Sequence, residues 1–138
     1  CLPMSVRGIV EDCGFTSPEE EFRHVLKQSG KGFLSRPLIF LTNLFCRACA
    51  GYGFSDLSSA DCIAESRLPV LVIHGEKDDF VPTVMGRKIY QAAAGEKEIW
   101  ITKGAGHAES YYLHKEEYEQ KVLGFFHRCI EADAYAED

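Results

Sequence analysis

One apolar run, Leu68-Pro69-Val70-Leu71-Val72-Ile73, constrains the fold of this chain more than any other stretch. Its length and its β-branched content predict a fully buried strand of a parallel sheet. The run ends in the polar turn His74-Gly75-Glu76-Lys77-Asp78-Asp79, and the apolar spacing after Pro82 predicts a helix. Because α/β sheets place their chemistry outside the carboxyl ends of their strands, we expect a functional site in this turn.

A second junction of the same kind follows, where Ile99-Trp100-Ile101-Thr102 predicts a strand that runs into a loop carrying His107. Asp78 and His107 lie 29 positions apart, which is room for one helix and one strand. Adjacent parallel strands would therefore bring the two loops together. An aspartate placed there can hold one imidazole nitrogen and fix the tautomer of a general base. We predict Asp78 and His107 as the acid and base of a catalytic triad.

Plainer alternatives exist for both residues. Asp78 could simply cap the following helix, and Asp79 competes for the role of the acid, although the spacing to Val81-Pro82 favours Asp78. A lone loop histidine is more often a surface residue. The joint spacing of the two residues, rather than either one alone, favours the catalytic interpretation.

The rest of the chain alternates between strand and helix signals. Residues 6–13 predict a strand, and Ser17-Pro18 begins a helix that ends near Gln28. Further helices are predicted over residues 33–50, which are almost entirely apolar and expected to be buried or to cover something, and over 58–65, from Pro82 to Gly95 and 115–132. This order predicts an α/β fold with three parallel strands and flanking helices.

Composition excludes several classes of protein. A chain of 138 residues fits one domain, and its net charge of -6 argues against a nucleic-acid partner. The most apolar stretch contains Arg36, Pro37 and Arg47, which makes it too polar to span a membrane. Six cysteines without the density of a secreted scaffold, and no visible signal peptide, indicate a reducing, cytoplasmic compartment. The chain does not begin with Met and enters a strand almost at once, so we expect it to be part of a longer protein.

Two motifs carry a family resemblance. His-Gly-x-x-Asp-x-x-Val-Pro at residues 74–82, followed by Gly-x-Gly-His-Ala at 104–108, resembles the C-terminal half of an α/β-hydrolase-fold serine hydrolase. The stretches at 11–17, 51–54 and 106–111 are similar to a bacterial esterase-like or peptidase-like branch. The resemblance implies that the three strands are the sixth to eighth of the family's sheet, and that residues 1–138 are the C-terminal part of one incomplete domain. It also implies a cap-like insertion at residues 30–60.

The same resemblance implies an activity. Asp78 matches the triad acid and His107 the triad base of an enzyme that hydrolyses a small ester, thioester or amide through an acyl-enzyme. No cofactor and no metal are implied. The family's nucleophile lies in Gly-x-Ser-x-Gly on a strand-to-helix elbow, which is expected upstream of this chain. Residues 1–138 alone are therefore expected to be inactive. The alternative function of the protein is that of a non-catalytic binding or assembly module derived from a hydrolase.

Other candidates within the chain fit the chemistry less well. Gly53-Phe54-Ser55-Asp56-Leu57 lacks the second glycine and a preceding strand, and Glu11 and Phe15 are too large for Cys13 to occupy a nucleophile elbow. Cys46 and Cys49 are expected to be reduced thiols that pack a helix. The remaining residues of interest are His74, predicted to be structural; His24, His114 and His127, predicted to lack metal partners; and Glu109, Ser110 and Tyr111, hypothesised to orient the loop of His107.

The open edge of the strand at residues 6–13 leads to one further expectation. In the family this edge pairs with the strand that bears the nucleophile. Without that neighbour the edge exposes unpaired backbone groups, which favours pairing between chains. We therefore expect self-association, as a two-fold dimer, of the chain on its own.

Overall fold

The computed structural model describes residues 5–134, so the ends of the predicted domain, residues 1–4 and 135–138, lie outside the described part. The strands are β1 (Ile9–Asp12), β2 (Val70–Gly75) and β3 (Lys97–Thr102). The helices are α1 (Pro18–Gln28), α2 (Ser35–Ala50), α3 (Ser59–Glu65), α4 (Thr83–Ala92), α5 (Ser110–Leu113) and α6 (Lys115–Ala134). Two 3₁₀ segments, Gly32–Leu34 and Phe54–Asp56, flank α2.

The three strands form one open parallel sheet in the order β1-β2-β3. In the register of the sheet, Ile73 of β2 lies between Asp12 of β1 and Trp100 of β3. All of β2 is buried, which confirms the strand predicted from its apolar run. Parallel strands of this kind are covered on both faces by the helices that connect them.

Alternate residues of β2 pack into two separate hydrophobic cores. Val70 and Val72 pack with Ile89 of α4 and Ile63 of α3 on one face of the sheet. Leu71 and Ile73 pack with Phe125 and other residues of α6 on the opposite face. The period of two along β2 thus fixes which helices lie on which side.

Local capping chemistry sets the start of two helices. The Ser17 hydroxyl accepts a hydrogen bond from Glu20 N at 3.2 Å, and Pro18 occupies the first position of α1. The Ser58 hydroxyl accepts from Asp61 N at 3.1 Å at the start of α3. Side-chain acceptors of this kind satisfy backbone N–H groups that have no partner inside the helix. The predicted starts of both helices are confirmed.

Helix α2 departs from expectation, because one of its faces is exposed. Phe40 is 67% exposed and Phe45 68%, and Phe33, just before the helix, is 80% exposed. The helix packs on α1 and on the two 3₁₀ segments, which cover only the face that includes Ile39. Burial, the first of the two expectations for this segment, is therefore wrong for its outer face, and the alternative that it covers something stays a prediction. A periodic apolar pattern indicates a helix but does not say what lies against it.

Three smaller differences follow from the packing. Ile130 belongs to the apolar spacing of α6 yet is 58% exposed, and Val84 belongs to that of α4 yet is 54% exposed. Cys46 is half-buried as expected, but Cys49 is exposed, although both are free thiols.

Among the described helices, none is long and apolar enough to cross a membrane.

Candidate active site

The turn after β2 holds the Asp78 carboxylate in a fixed position. Its Oδ1 accepts hydrogen bonds from Phe80 N at 3.1 Å and Val81 N at 2.8 Å. The side chain is fully buried, with 0% exposure. An aspartate that accepts from backbone N–H groups two and three residues ahead forms an Asx turn. Asp78 therefore holds the turn and does not cap α4, whose N-cap is Pro82, and Oδ2 is left for another partner.

That partner is His107, which lies in the loop after β3. Its Nδ1 is 2.9 Å from Asp78 Oδ2, and its side chain is 39% exposed. Because a carboxylate can only accept, Nδ1 must carry the proton, and the lone pair of the neutral ring lies on Nε2. The Phe80 ring lies against the imidazole with a centroid separation of 5.0 Å. The structure thus brings the two predicted site residues together.

Backbone contacts join the two loops. Glu76 N donates to Thr102 O at 3.0 Å, and Lys77 N donates to Ala105 O at 2.8 Å. Gly75 allows this approach, because a Cβ at that position would come within 2.4 Å of Gly106 O. A larger residue would separate the loops, so the glycine of the His-Gly pair has a steric role.

The loop of His107 is supported from its C-terminal side. The Glu109 carboxylate accepts from Gly106 N at 2.8 Å, and the Thr102 hydroxyl donates to the Ser110 hydroxyl at 2.9 Å. Ala108 has a left-handed backbone φ of 56°, which residues other than glycine rarely adopt. Tyr111 points elsewhere and contacts Tyr118 of α6. Of the three residues hypothesised to orient the loop, Glu109 contacts the loop itself and Ser110 contacts Thr102, the last residue of β3 before the loop.

Cys13 lies at the end of β1, close to the acid and the base. Its sulfur accepts from Ala108 N at 3.4 Å, and its backbone has a left-handed φ of 56°. Burial, as the largest cause, raises the pKa of the thiol to about 12. A nucleophilic cysteine needs the opposite shift, toward the thiolate. The environment of Cys13 is therefore that of an unreactive thiol.

Among the described residues, Cys13, His74 and Asp78 form a group of metal-type donors whose ligand atoms lie within 4.8 Å of one another. The donors do not fit a metal, because His74 Nε2 faces the Val81 carbonyl at 2.9 Å. A carbonyl oxygen only accepts, so this nitrogen carries a proton and has no lone pair to offer. The other nitrogen, Nδ1, is buried without a partner.

Sequence analysis did not predict three contacts around the turn of Asp78. His24 and Gln28 of α1 both contact the Asp79 carbonyl, at 3.2 Å and 2.6 Å, and so attach α1 to the turn of Asp78. His74, predicted to be structural, also lies 3.4 Å from the Asp78 carboxylate. Only the i,i+4 spacing of His74 and Asp78 could have suggested the last contact, and it is a weak signal inside a turn.

Glu11, on the strand next to this site, is a half-buried acid whose carboxylate oxygen Oε2 is buried. Its carboxylate accepts a hydrogen bond from Gly14 N, while Oε2 has no partner. Burial, as the largest cause, raises the pKa of Glu11 to about 7. The folded chain therefore favours the protonated acid at a pH where the unfolded chain has already released the proton.

This shift predicts a change in stability with pH. Since the pKa of Glu11 rises from 4.5 to about 7 on folding, its contribution to stability is fully present below pH 4.5 and is lost as the pH approaches 7. We expect Glu11→Gln to raise the free energy of unfolding at pH 8 by on the order of 3 kcal/mol, and to leave it unchanged near pH 4.5. Urea unfolding at the two pH values measures the difference. Glu117→Gln, at an exposed carboxylate of α6, is the matched control, and an equal gain in both variants would contradict the assignment.

Comparisons with known proteins bear on the fold. No protein-family model matches the chain. An uncharacterised protein of Bacillus subtilis (strain 168), YqkD, is 28% identical over 116 residues, which are 84% of this chain and 38% of that protein. The chain thus spans well under half of this relative.

Two solved structures share the architecture. An α/β hydrolase enzyme, MGS-MChE2, from the metagenome of sediments of the Mar Chica lagoon in Morocco, superposes with a TM-score of 0.55 at 15% identity. BpoC from Mycobacterium tuberculosis H37Rv superposes with a TM-score of 0.57 at 17% identity. The likeness covers 89% and 90% of this chain, but 51% and 59% of those two chains. The described residues therefore have part of the α/β-hydrolase fold: three parallel strands of an open sheet with flanking helices.

Proposed function

We propose that this chain is the C-terminal part of a serine hydrolase of the α/β-hydrolase fold, with Asp78 as the triad acid and His107 as the base. The observation that carries the proposal is the 2.9 Å contact between His107 Nδ1 and the fully buried Asp78 carboxylate, at the carboxyl ends of neighbouring strands. Its substrates are small molecules with an ester, thioester or amide bond. Residues 30–60 are proposed as a cap over the site.

The geometry supports a two-step acyl transfer. With its proton on Nδ1, neutral His107 presents Nε2 to accept a proton from a serine hydroxyl as the oxygen attacks the substrate carbonyl. The imidazolium then returns that proton to the leaving group. Asp78 stabilises the imidazolium and prevents the ring from adopting the other tautomer. Water repeats the sequence to release the acid.

The serine itself is proposed to lie upstream of residue 1. Within the described chain, the nearest candidates are unsuited to the role, since Ser110 is fully buried against Thr102 and the Cys13 thiol is held protonated. The proposal therefore requires a Gly-x-Ser-x-Gly segment in the upstream reading frame.

A fluorophosphonate probe tests this function in the full-length protein. We expect covalent labelling at the upstream serine and no labelling of the chain of residues 1–138 alone. Hydrolysis of a short-chain ester series then identifies the preferred acyl group. A full-length protein that carries no such serine and takes no label would contradict the proposal and favour the non-catalytic module.

The five described cysteines are free thiols, which supports the proposed reducing, cytoplasmic location. The location does not explain why helix α2 exposes apolar side chains such as Phe40 and Phe45. Its outer side chains suit the proposed cap role, because cap residues face a substrate or another part of the enzyme.

We also propose that the isolated chain self-associates through β1. Within the described residues β1 pairs with β2 on one side only. Ile9 N donates to Pro69 O just before β2, and Cys13 N donates to Ile73 O, at 2.9 Å each. The alternating N–H groups of Val10 and Asp12 therefore point to the open side. We expect a dimer in sedimentation velocity experiments.

Two variants separate this edge from the exposed face of α2. Val10→Pro removes one outward N–H and is expected to yield monomer, whereas Phe40→Glu changes α2 and is expected to leave the dimer intact. Circular dichroism checks that both variants fold. Dissociation by Phe40→Glu alone, or a monomeric parent chain, would contradict pairing through β1.

A further inference from the structure

His74 is a fully buried histidine at the penultimate position of β2, with 0% exposure. Its Nε2 is 2.9 Å from the Val81 carbonyl oxygen. Since that oxygen only accepts, Nε2 carries a proton and donates it. His74 therefore ties the end of β2 to the far side of the turn that holds Asp78.

The same N–H lies next to the acid. His74 Nε2 is 3.4 Å from Asp78 Oδ2, the oxygen that His107 Nδ1 contacts at 2.9 Å. The carboxylate is thus placed between two imidazole rings, one fully buried and one partly exposed. Because that N–H already donates to the Val81 carbonyl, its contact with the carboxylate is a close electrostatic approach and not a second hydrogen bond.

Helix α4 holds the ring from its other side. A Cβ at Gly86 would come within 2.5 Å of His74 Nδ1, so the helix backbone lies directly against that nitrogen. Nδ1 itself is buried and has no partner. Leaving a buried polar atom unpaired carries a cost, which a purely apolar residue at position 74 would avoid. The retained donor therefore points to a role for Nε2 rather than for the volume of the ring.

We propose that His74 is a positioning residue for the acid and base: by donating to the Val81 carbonyl it fixes the turn, and Val81 N in turn holds the Asp78 carboxylate at His107. The effect on rate rests on the proposed function. The effect on geometry does not, because all the residues concerned lie within this chain. Among the described residues, the Asp78 carboxylate and the Cys13 thiol lie within 4.8 Å of the His74 ring.

Nuclear magnetic resonance of the 138-residue chain tests the geometric part. A proton held between His107 Nδ1 and Asp78 gives a far-downfield resonance, and Asp78→Asn identifies it by abolishing it. We expect His74→Leu to abolish or broaden this resonance. His74→Gln is expected to retain it, because the glutamine amide extends about as far as Nε2 and donates in its place. A sharp, unshifted resonance in His74→Leu would overturn the proposal, as would its loss in His74→Gln with the fold intact.

Gly86→Ala keeps the test valid if His74→Leu does not fold. The added methyl group displaces the ring without removing its donor, so we expect the same resonance to shift or broaden. An unchanged resonance in Gly86→Ala would contradict the close fit of α4 against His74.

Kinetics of the full-length enzyme test the catalytic consequence. We expect His74→Leu to lower kcat by about 10²-fold with KM nearly unchanged, since misplacing an acid–base pair by about 1 Å has an effect of this size. His74→Gln is expected to restore most of the rate. If the resonance changes as predicted but Asp78→Asn remains fully active, the proposed function fails and the positioning role of His74 stands. Unaltered kcat in His74→Leu would overturn the catalytic part alone.

Discussion

Replacement of His107 by glutamine is expected to lower kcat of the full-length enzyme by about 10⁶-fold, the largest effect of any substitution in this chain. Glutamine has a similar length, but its amide nitrogen lies where Nε2 was, so the contact of Nδ1 with Asp78 Oδ2 at 2.9 Å is lost together with the base. It cannot accept a proton from a serine, because an amide nitrogen has no available lone pair. The loss should therefore fall on chemistry and not on substrate binding.

Ester hydrolysis under saturating substrate measures this change in kcat. His127→Gln is the matched control, since His127 lies exposed on α6 and away from the site. We expect the control to retain the parental rate. Comparable rates for His107→Gln and the parent would mean that the Asp78–His107 pair is structural and that any activity resides elsewhere.

Replacement of Asp78 by asparagine is the second large effect, with an expected loss in kcat of about 10⁴-fold. The amide oxygen can still accept from Phe80 N and Val81 N, so the turn is retained. The amide nitrogen then faces His107 Nδ1 and requires it to accept. That selects the tautomer with its proton on Nε2, which cannot serve as a base.

The neighbouring acid provides the control for this variant. Asp79→Asn alters a carboxylate one residue away, on an exposed residue whose backbone carbonyl is the atom that His24 and Gln28 contact. We expect Asp79→Asn to retain near-parental kcat. A larger loss of kcat from Asp79→Asn than from Asp78→Asn would show that Asp79, and not Asp78, is the acid. The tautomer of His107 in each variant can be read from its nitrogen chemical shifts.

Much of the scaffold was predictable from local patterns. The apolar run of β2 predicted a strand buried on both faces, because only a sheet covered by helices on each side accommodates such a run. Ser17 and Pro18 predicted the start of α1, since capping depends on residues two or three positions apart. The pairing of Asp78 with His107 was predictable from their spacing, which is set by one crossover between neighbouring parallel strands.

Other features depend on contacts between residues far apart in sequence. The outer face of α2 has the same apolar periodicity as a buried helix, and only the absence of a packing partner among the described elements leaves Phe40 exposed. The attachment of α1 to the turn of Asp78 joins His24 to Asp79, 55 residues away. No short-range sequence pattern predicts the exposed face of α2 or the contact of His24 with Asp79.

By itself the sequence determined the α/β class, the buried central strand and the two loops that carry Asp78 and His107, because each follows from the chemistry of consecutive residues. Only the tertiary structure decided what surrounds those two side chains: His74 against the acid, the protonated thiol of Cys13 beside the base, and the buried carboxylate of Glu11. The physical reason is that burial and desolvation are properties of the packed chain. The same residue type has a different charge and partner according to what the fold places around it.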